Sequence, residues 1–219
     1  MKLAYFSKLF HPEEWRQLLA DPESQWRDGY SAKMLAYAWQ DGIPAKLNII
    51  LEHALRSEFK PLFGFPEFVV SIPGGSRGSQ NDIYVIGQAK SELVVLMIEG
   101  KVKESFDKTL DDKVQELSHG YHNARLKYLC ELLGIDLSQA SKIRYQLIHR
   151  LASVVIEAQR IGSTKGFLII HSFSKNNDHY EDFQAFLSLF GVKSEFNMPI
   201  SGPKIGGIEV SFIWFNEHA

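Results

Sequence analysis

DIYVIGQAKSELVVLMIEGKVKE, residues 82–104, holds two apolar segments, IYVIGQ and LVVLMIEGKV, separated by a few residues around Ala89, Lys90 and Ser91. Two segments rich in Val, Ile, Leu and Tyr with so short a break predict an antiparallel hairpin. With the turn centred between Lys90 and Ser91, Tyr84 lies opposite Met97, Ile86 opposite Val95 and Gln88 opposite Leu93. Asp82 then falls opposite Glu99. Directly opposed residues share a face, with Cβ atoms about 4.5–5.5 Å apart. Lys101, two residues beyond Glu99, joins the same face. A one-residue slip would send the two acids to opposite sides of the sheet, so the whole reading depends on this register.

Two carboxylates held side by side in a partly desolvated place repel one another. A fold that keeps them together protonates one or supplies a cation. Lys101 offers one positive charge and a hard divalent ion offers two. Mg²⁺ takes one or two carboxylates and keeps several waters. The Gly100 carbonyl could add an oxygen, and a glycine lets a ligand approach the backbone there. A lysine beside such an ion can orient an attacking water and meet developing negative charge.

Outward from the hairpin, the chain alternates helical and extended patterns. EEWRQLLA after Pro12 and AKMLAYAWQ after Ser31 read as short helices, the second stopped by Asp41-Gly42. AKLNIILEHALRSEF carries an apolar stripe of Leu47, Ile50, Leu51, Ala54 and Leu55 at helical spacing, with Glu52 beside it. FVVSIP reads as a strand ending in the loop GGSRGSQN. A long helical stretch follows, with Val114, Leu117, Tyr121, Tyr128, Leu129 and Leu132 on one face and Gly134 as its C-cap. A second helix starts near Ser141. GFLIIHSF is a buried strand, HYEDFQAFLSLFG an amphipathic helix stopped by Gly191, and GIEVSFIWF a final strand. This order predicts an α/β fold, a central mixed β-sheet flanked by helices. Residues 1–44 form an N-terminal helical extension and residues 45–219 the α/β domain.

Asp82 on one strand and Glu99-Gly100-Lys101 at the end of the next, after a helix carrying Glu52, resembles the signature of the PD-(D/E)xK nuclease superfamily. The element order over residues 45–175 is also similar to that restriction-endonuclease-like core. The resemblance implies Mg²⁺-dependent hydrolysis of a nucleic-acid phosphodiester, DNA before RNA, with Mn²⁺ as an alternative ion. It implies Asp82 and Glu99 as metal ligands, Lys101 organising the water, and Glu52 as a further ligand. Asn81 stands where the superfamily often has proline.

Composition bounds these expectations. The 219 residues are 45% hydrophobic and 12% aromatic, enough for a substantial core. The formal charge of −2 excludes a surface that attracts polyanions all over, so nucleic-acid binding requires a local patch. Cys130 is the single cysteine, which excludes an internal disulfide framework. No run of about 18 apolar residues occurs, so a soluble, cytoplasmic protein without membrane contact is expected, and a homodimer is compatible.

Other residue types point less clearly. Gln146, His149 and Arg150 share one side of a helix and read first as a solvated face, second as phosphate contacts. His171, after FLII, reads as a hydrogen-bonded core histidine. Arg77 in the glycine-rich loop is a candidate backbone contact, while His119 and His122 lack the second ligand pair that zinc needs. Neither GxxxxGK[ST] nor a strand-anchored GxGxxG occurs, which disfavours nucleotide chemistry. The rival to an enzyme is a binding or structural protein that keeps the nuclease-like fold without turnover.

Overall fold

The computed structural model describes residues 4–5, 11–117 and 119–218. The rest of the 1–44 extension, residues 1–3 and 6–10, lies outside the described residues. The elements in chain order are β1 (Ala4–Tyr5), a 3-10 helix (Pro12–Leu18), α1 (Pro22–Gln25), α2 (Ser31–Ala38), α3 (Ala45–Leu55), β2 (Phe59–Val70), β3 (Ser79–Ala89) and β4 (Glu92–Lys101). Then come α4 (Leu110–Glu116), a 3-10 turn (Gly120–His122), α5 (Ala124–Leu133), α6 (Tyr145–Ile161), β5 (Lys165–Ser172), α7 (Tyr180–Ser188), β6 (Pro199–Ile205) and β7 (Ile208–Asn216).

Six long strands and the two-residue β1 form one mixed sheet in the order β1-β2-β3-β4-β5-β7-β6. The expected hairpin register is present: Tyr84 pairs with Met97, Ile86 with Val95 and Gln88 with Leu93. Strands β4, β5 and β7 run parallel, joined by helical crossovers, while β2-β3-β4 and β6-β7 are antiparallel. Alternation along β3 and β4 feeds two cores. Tyr84, Val95 and Met97 face Leu129, Leu147, Leu151 and Phe183 of α5, α6 and α7. Ile83, Val85, Leu96 and Ile98 face Leu35, Trp39, Leu47 and Leu51 of α2 and α3, together with Trp15 and Trp26. The helices before residue 45 therefore complete the second core and cover the sheet.

Several elements differ from the sequence reading. Strand β2 begins at Phe59, nine residues before FVVSIP, and includes Pro61 and Pro66. Prolines survive here because β2 has β3 on one side and only the two residues of β1 on the other, leaving amides that need no ladder partner. The long helix predicted before Gly134 is two helices: Asn123 caps α5 by accepting from the Arg125 and Leu126 amides, which starts a new helix there. Gly134 does end α5, at φ 66, in the left-handed C-cap conformation. The second helix starts at Tyr145 and not near Ser141. Strand β6, PISGPKI, escapes the sequence reading because its two prolines and its glycine break the apolar alternation; it pairs with β7 through a turn at Gly206-Gly207.

Candidate functional site

The β3–β4 pairing ends at Ile83 and Ile98. One step further the same register sets Asp82 across from Glu99. The Gly100 amide donates to Asp82 Oδ2 at 2.7 Å, so this carboxylate sits at the splayed end of the ladder. Oδ1 has no protein donor among the described residues.

On the other flank of Asp82 lies β2. Its pairs Pro66–Ile83 and Phe68–Asn81 bracket Glu67, which therefore falls opposite Asp82. Glu67 has φ 52, a left-handed conformation within a strand. A non-glycine residue held there costs on the order of 1–2 kcal/mol. The consequence is visible in the aromatics: Phe65 and Phe68, three residues apart, both pack on Tyr84, at 5.4 and 4.8 Å between ring centroids. Glu67 is thus an irregularity that turns its carboxylate toward the strand end. The Trp15 indole N–H donates to Oε1 at 2.9 Å and the Gln80 amide to Oε2 at 2.8 Å.

Glu67, Asp82 and Glu99 consequently stand in a row across β2, β3 and β4. Glu99 is 2% exposed and Lys101 4%. The Lys101 ammonium reaches Glu99 Oε1 at 2.7 Å and lies 4.9 Å from the centroid of the Phe106 ring. Helix α6 presents Gln146 and Arg150, one turn apart, to the same group. The Gln146 amide donates to Glu99 Oε1 at 2.7 Å, and Arg150 Nε donates to Oε2 at 2.5 Å. Arg150 Nη1 also donates to Ser79 Oγ at 3.1 Å, and Ser79 Oγ is 2.8 Å from His149 Nδ1. This side of α6 is therefore no solvated face: Arg150 is 6% exposed.

The electrostatics split the three acids. Burial would raise the Glu99 pKa, but Arg150 and Lys101 outweigh it and hold the carboxyl below its usual range. Asp82 is pushed well above the carboxylate range by burial, then by Glu99 and Glu67, against weaker opposition from Arg150 and Lys101. Glu67 is raised by burial and Glu99 despite its two N–H donors. Two protein cations therefore satisfy one acid and leave the other two short of positive charge. Among the described residues no three His, Cys, Asp or Glu side chains converge closely enough to hold an ion by themselves. A hard ion that takes two carboxylates and several waters does not require three.

These groups line a cleft of about 410 Å³. Glu67, Gln80, Asp82, Glu99 and Lys101 line it from the sheet, and Gln146 and Arg150 from α6. Arg27 and Tyr30, from the turn between α1 and α2, and Ser31, the first residue of α2, also line it.

Sequence-expected residues outside the cluster are informative too. Glu52 is not brought to it. Its carboxylate accepts from Asn48 Nδ2 at 3.0 Å and from the Phe59 amide at 3.4 Å, at the far end of β2. Eight residues of strand separate Phe59 from Glu67, about 26 Å. Glu52 is thus a connector between α3 and β2 and not a ligand of this site. Gly100 is required for a different reason from ligand approach: a Cβ there would lie 1.9 Å from Leu35 Cδ1, so the glycine lets α2 press onto β4. His171 is the hydrogen-bonded core histidine expected, accepting from the Trp39 indole at Nδ1 and facing Glu217 through Nε2 at 2.9 Å. Arg77 contributes its carbonyl to Arg125. His119 and His122 are exposed in the turn before α5.

The sequence reading missed Glu67, the buried state of Arg150 and the bond from Gln146 to Glu99. For Glu67 the available signal was an acid embedded among Phe63, Phe65 and Phe68. For the α6 pair it was the four-residue spacing itself.

The chain belongs to the family described as a domain of unknown function, DUF6946, whose model matches residues 8–219. No curated protein and no solved structure matches it significantly. No described helix is long and apolar enough to cross a membrane.

Proposed function

We propose that this DUF6946 chain hydrolyses phosphodiester bonds of nucleic acid, DNA foremost, with Mg²⁺ or Mn²⁺. The observation that carries the reading is the row Glu67, Asp82 and Glu99 on three adjacent strands, beside Lys101 in one cleft. The donor set suits a hard ion: Asp82 keeps an oxygen without a protein donor, and the two acids shifted toward protonation gain from an added cation. Asp82 and Glu99 would hold the ion, with Glu67 on the far flank as a further carboxylate reached directly or through water. Such an ion, when bound, polarises a phosphoryl oxygen and lowers the pKa of a bound water. The chain's own groups do the remainder. Lys101, fixed between Glu99 and the Phe106 ring, directs N–H donors to an attacking water and to charge developing on the phosphoryl oxygens. Gln146 and Arg150 hold Glu99 in one rotamer, so Lys101 keeps its place. The fold on this reading is restriction-endonuclease-like.

Cleavage of plasmid and oligonucleotide DNA with Mg²⁺ or Mn²⁺ tests it. Glu99→Gln and Lys101→Met should each lower the rate by about 10²-fold or more. Undiminished cleavage by either variant rejects the assigned roles. A second reading is favoured by one observation, the complete satisfaction of Glu99 by Lys101, Gln146 and Arg150: the cluster is a static ion network in a binding or structural protein. That reading predicts no divalent-ion binding at Asp82.

A further inference from the structure

The carboxylate cleft is lined in part by the segment that leads into α2, and Tyr30 there also lines a second hollow. This hollow, about 310 Å³, is lined by Gly29, Tyr30, Lys103 and Glu104. Tyr30 and Glu104 line both spaces. Tyr30 is 40% exposed although it precedes a helix in which Leu35 and Ala36 are buried. Its position is fixed: the α2 N-terminus is capped from far along the chain, the Ser31 amide donating to Glu104 Oε1 at 2.8 Å. Glu104 Oε2 accepts the Val102 and Lys103 amides as well, so the one acid shared by both hollows is already occupied by N–H groups. Each hollow has an exposed cation on its lining. Arg27, exposed on the carboxylate side, binds the Glu23 carbonyl through Nε and has no protein acceptor for its terminal nitrogens among the described residues. Lys103 lies exposed on the lining of the second hollow.

We infer that the two hollows form a track for a single-stranded polynucleotide, with Tyr30 as the stacking platform between them and Arg27 and Lys103 as phosphate contacts. An exposed aromatic shared by two hollows, each with a cation on its lining, suits splayed bases, since stacking needs an unpaired base face and the cations follow the backbone. A paired duplex offers Tyr30 no base face to stack on. The inference rests on the reading of the carboxylate cleft as the place where the phosphodiester is bound, and it adds the substrate class: single strands, frayed ends or extruded nucleotides. Arg27, Tyr30 and Lys103 are positioning residues.

The 219-residue chain is titrated, in Ca²⁺, against fluorescein-labelled ten-nucleotide single-stranded DNA, single-stranded RNA and a blunt DNA duplex of the same sequence, by anisotropy. Single strands should bind at least 10-fold more tightly than the duplex, and whether DNA or RNA is preferred identifies the sugar. Tyr30→Ala should weaken single-strand binding about 5- to 100-fold. Arg27→Ala should reduce the salt slope of log K by about 0.7. Ile49→Ala, on an exposed position of α3, serves as the control that leaves binding unchanged. Duplex binding equal to or tighter than single-strand binding, or a Tyr30→Ala effect under 2-fold, overturns the track. Wild-type hydrolysis of bis(p-nitrophenyl) phosphate with Mg²⁺ reports separately on the carboxylate site: no hydrolysis alongside single-strand binding removes the catalytic reading and leaves the track standing.

Discussion

Replacing Arg150 with methionine removes the largest attractive influence on Glu99 while keeping the volume of the aliphatic stem. Both side chains are nearly closed to solvent, 7% and 3% exposed, and the contact is a 2.5 Å hydrogen bond. Removing one partner of a buried pair costs about 3–5 kcal/mol, because the other charge stays desolvated. Lys101 still meets Glu99 Oε1 at 2.7 Å, which sets the expectation at the lower end, about 3 kcal/mol. For a chain of this size that is a fall in Tm of about 6–12 °C, or about 1 M in the urea midpoint. The sign with pH follows from linkage. In the wild type the Glu99 pKa is lowered from 4.5, so its contribution is fully present above 4.5 and is lost as pH falls through the folded value. The variant lacks that contribution, so its deficit is greatest near neutral pH and narrows below about pH 4.5. Urea unfolding followed by far-ultraviolet circular dichroism at pH 7 and pH 4 measures both. A deficit under about 1 kcal/mol at pH 7, or one that grows on acidification, would refute the view that Arg150 neutralises a buried Glu99 carboxylate.

Asp82→Asn acts in the opposite direction in chelator-treated protein. The Asp82 pKa is raised in the fold, so its contribution is present below its ordinary value of 3.8 and lost as pH rises through the folded value. The variant should therefore melt higher than wild type at pH 7, with the gap closing toward pH 4; differential scanning fluorimetry across that range checks it. Gly100→Ala places a Cβ 1.9 Å from Leu35 Cδ1 and 3.3 Å from Ser31 Cβ, and should cost about 1–3 kcal/mol by overpacking. Leu35→Ala in the same chain should make the two losses less than additive in thermal melts. Glu52→Gln should alter neither divalent-ion affinity nor cleavage rate, since its carboxylate serves Asn48 and Phe59; a changed affinity by calorimetry would return Glu52 to the site.

The hairpin was legible because two physical facts agree: a short polar turn, and apolar, β-branched residues on both arms. Together they fixed the register that puts Asp82 across from Glu99. Strand β2 was half hidden because Pro61 and Pro66 argue against a strand unless one edge is nearly free, which is a property of the whole sheet. Glu67 was hidden for a related reason: its left-handed backbone makes the local period three where a strand reader expects two. Arg150 and Gln146 carried the correct helical spacing, but burial depends on which polar sheet end α6 meets. Glu52 misled because helix position alone does not say toward which end of the sheet a side chain lies.

The central claim, a divalent-cation seat at the row of acids, is tested most directly by isothermal titration of Mn²⁺ into chelator-treated protein at pH 7, wild type against Asp82→Asn. One saturable site in the wild type, weakened at least 10-fold in Asp82→Asn, is the predicted result. Equal binding by both proteins, or none by either, contradicts it.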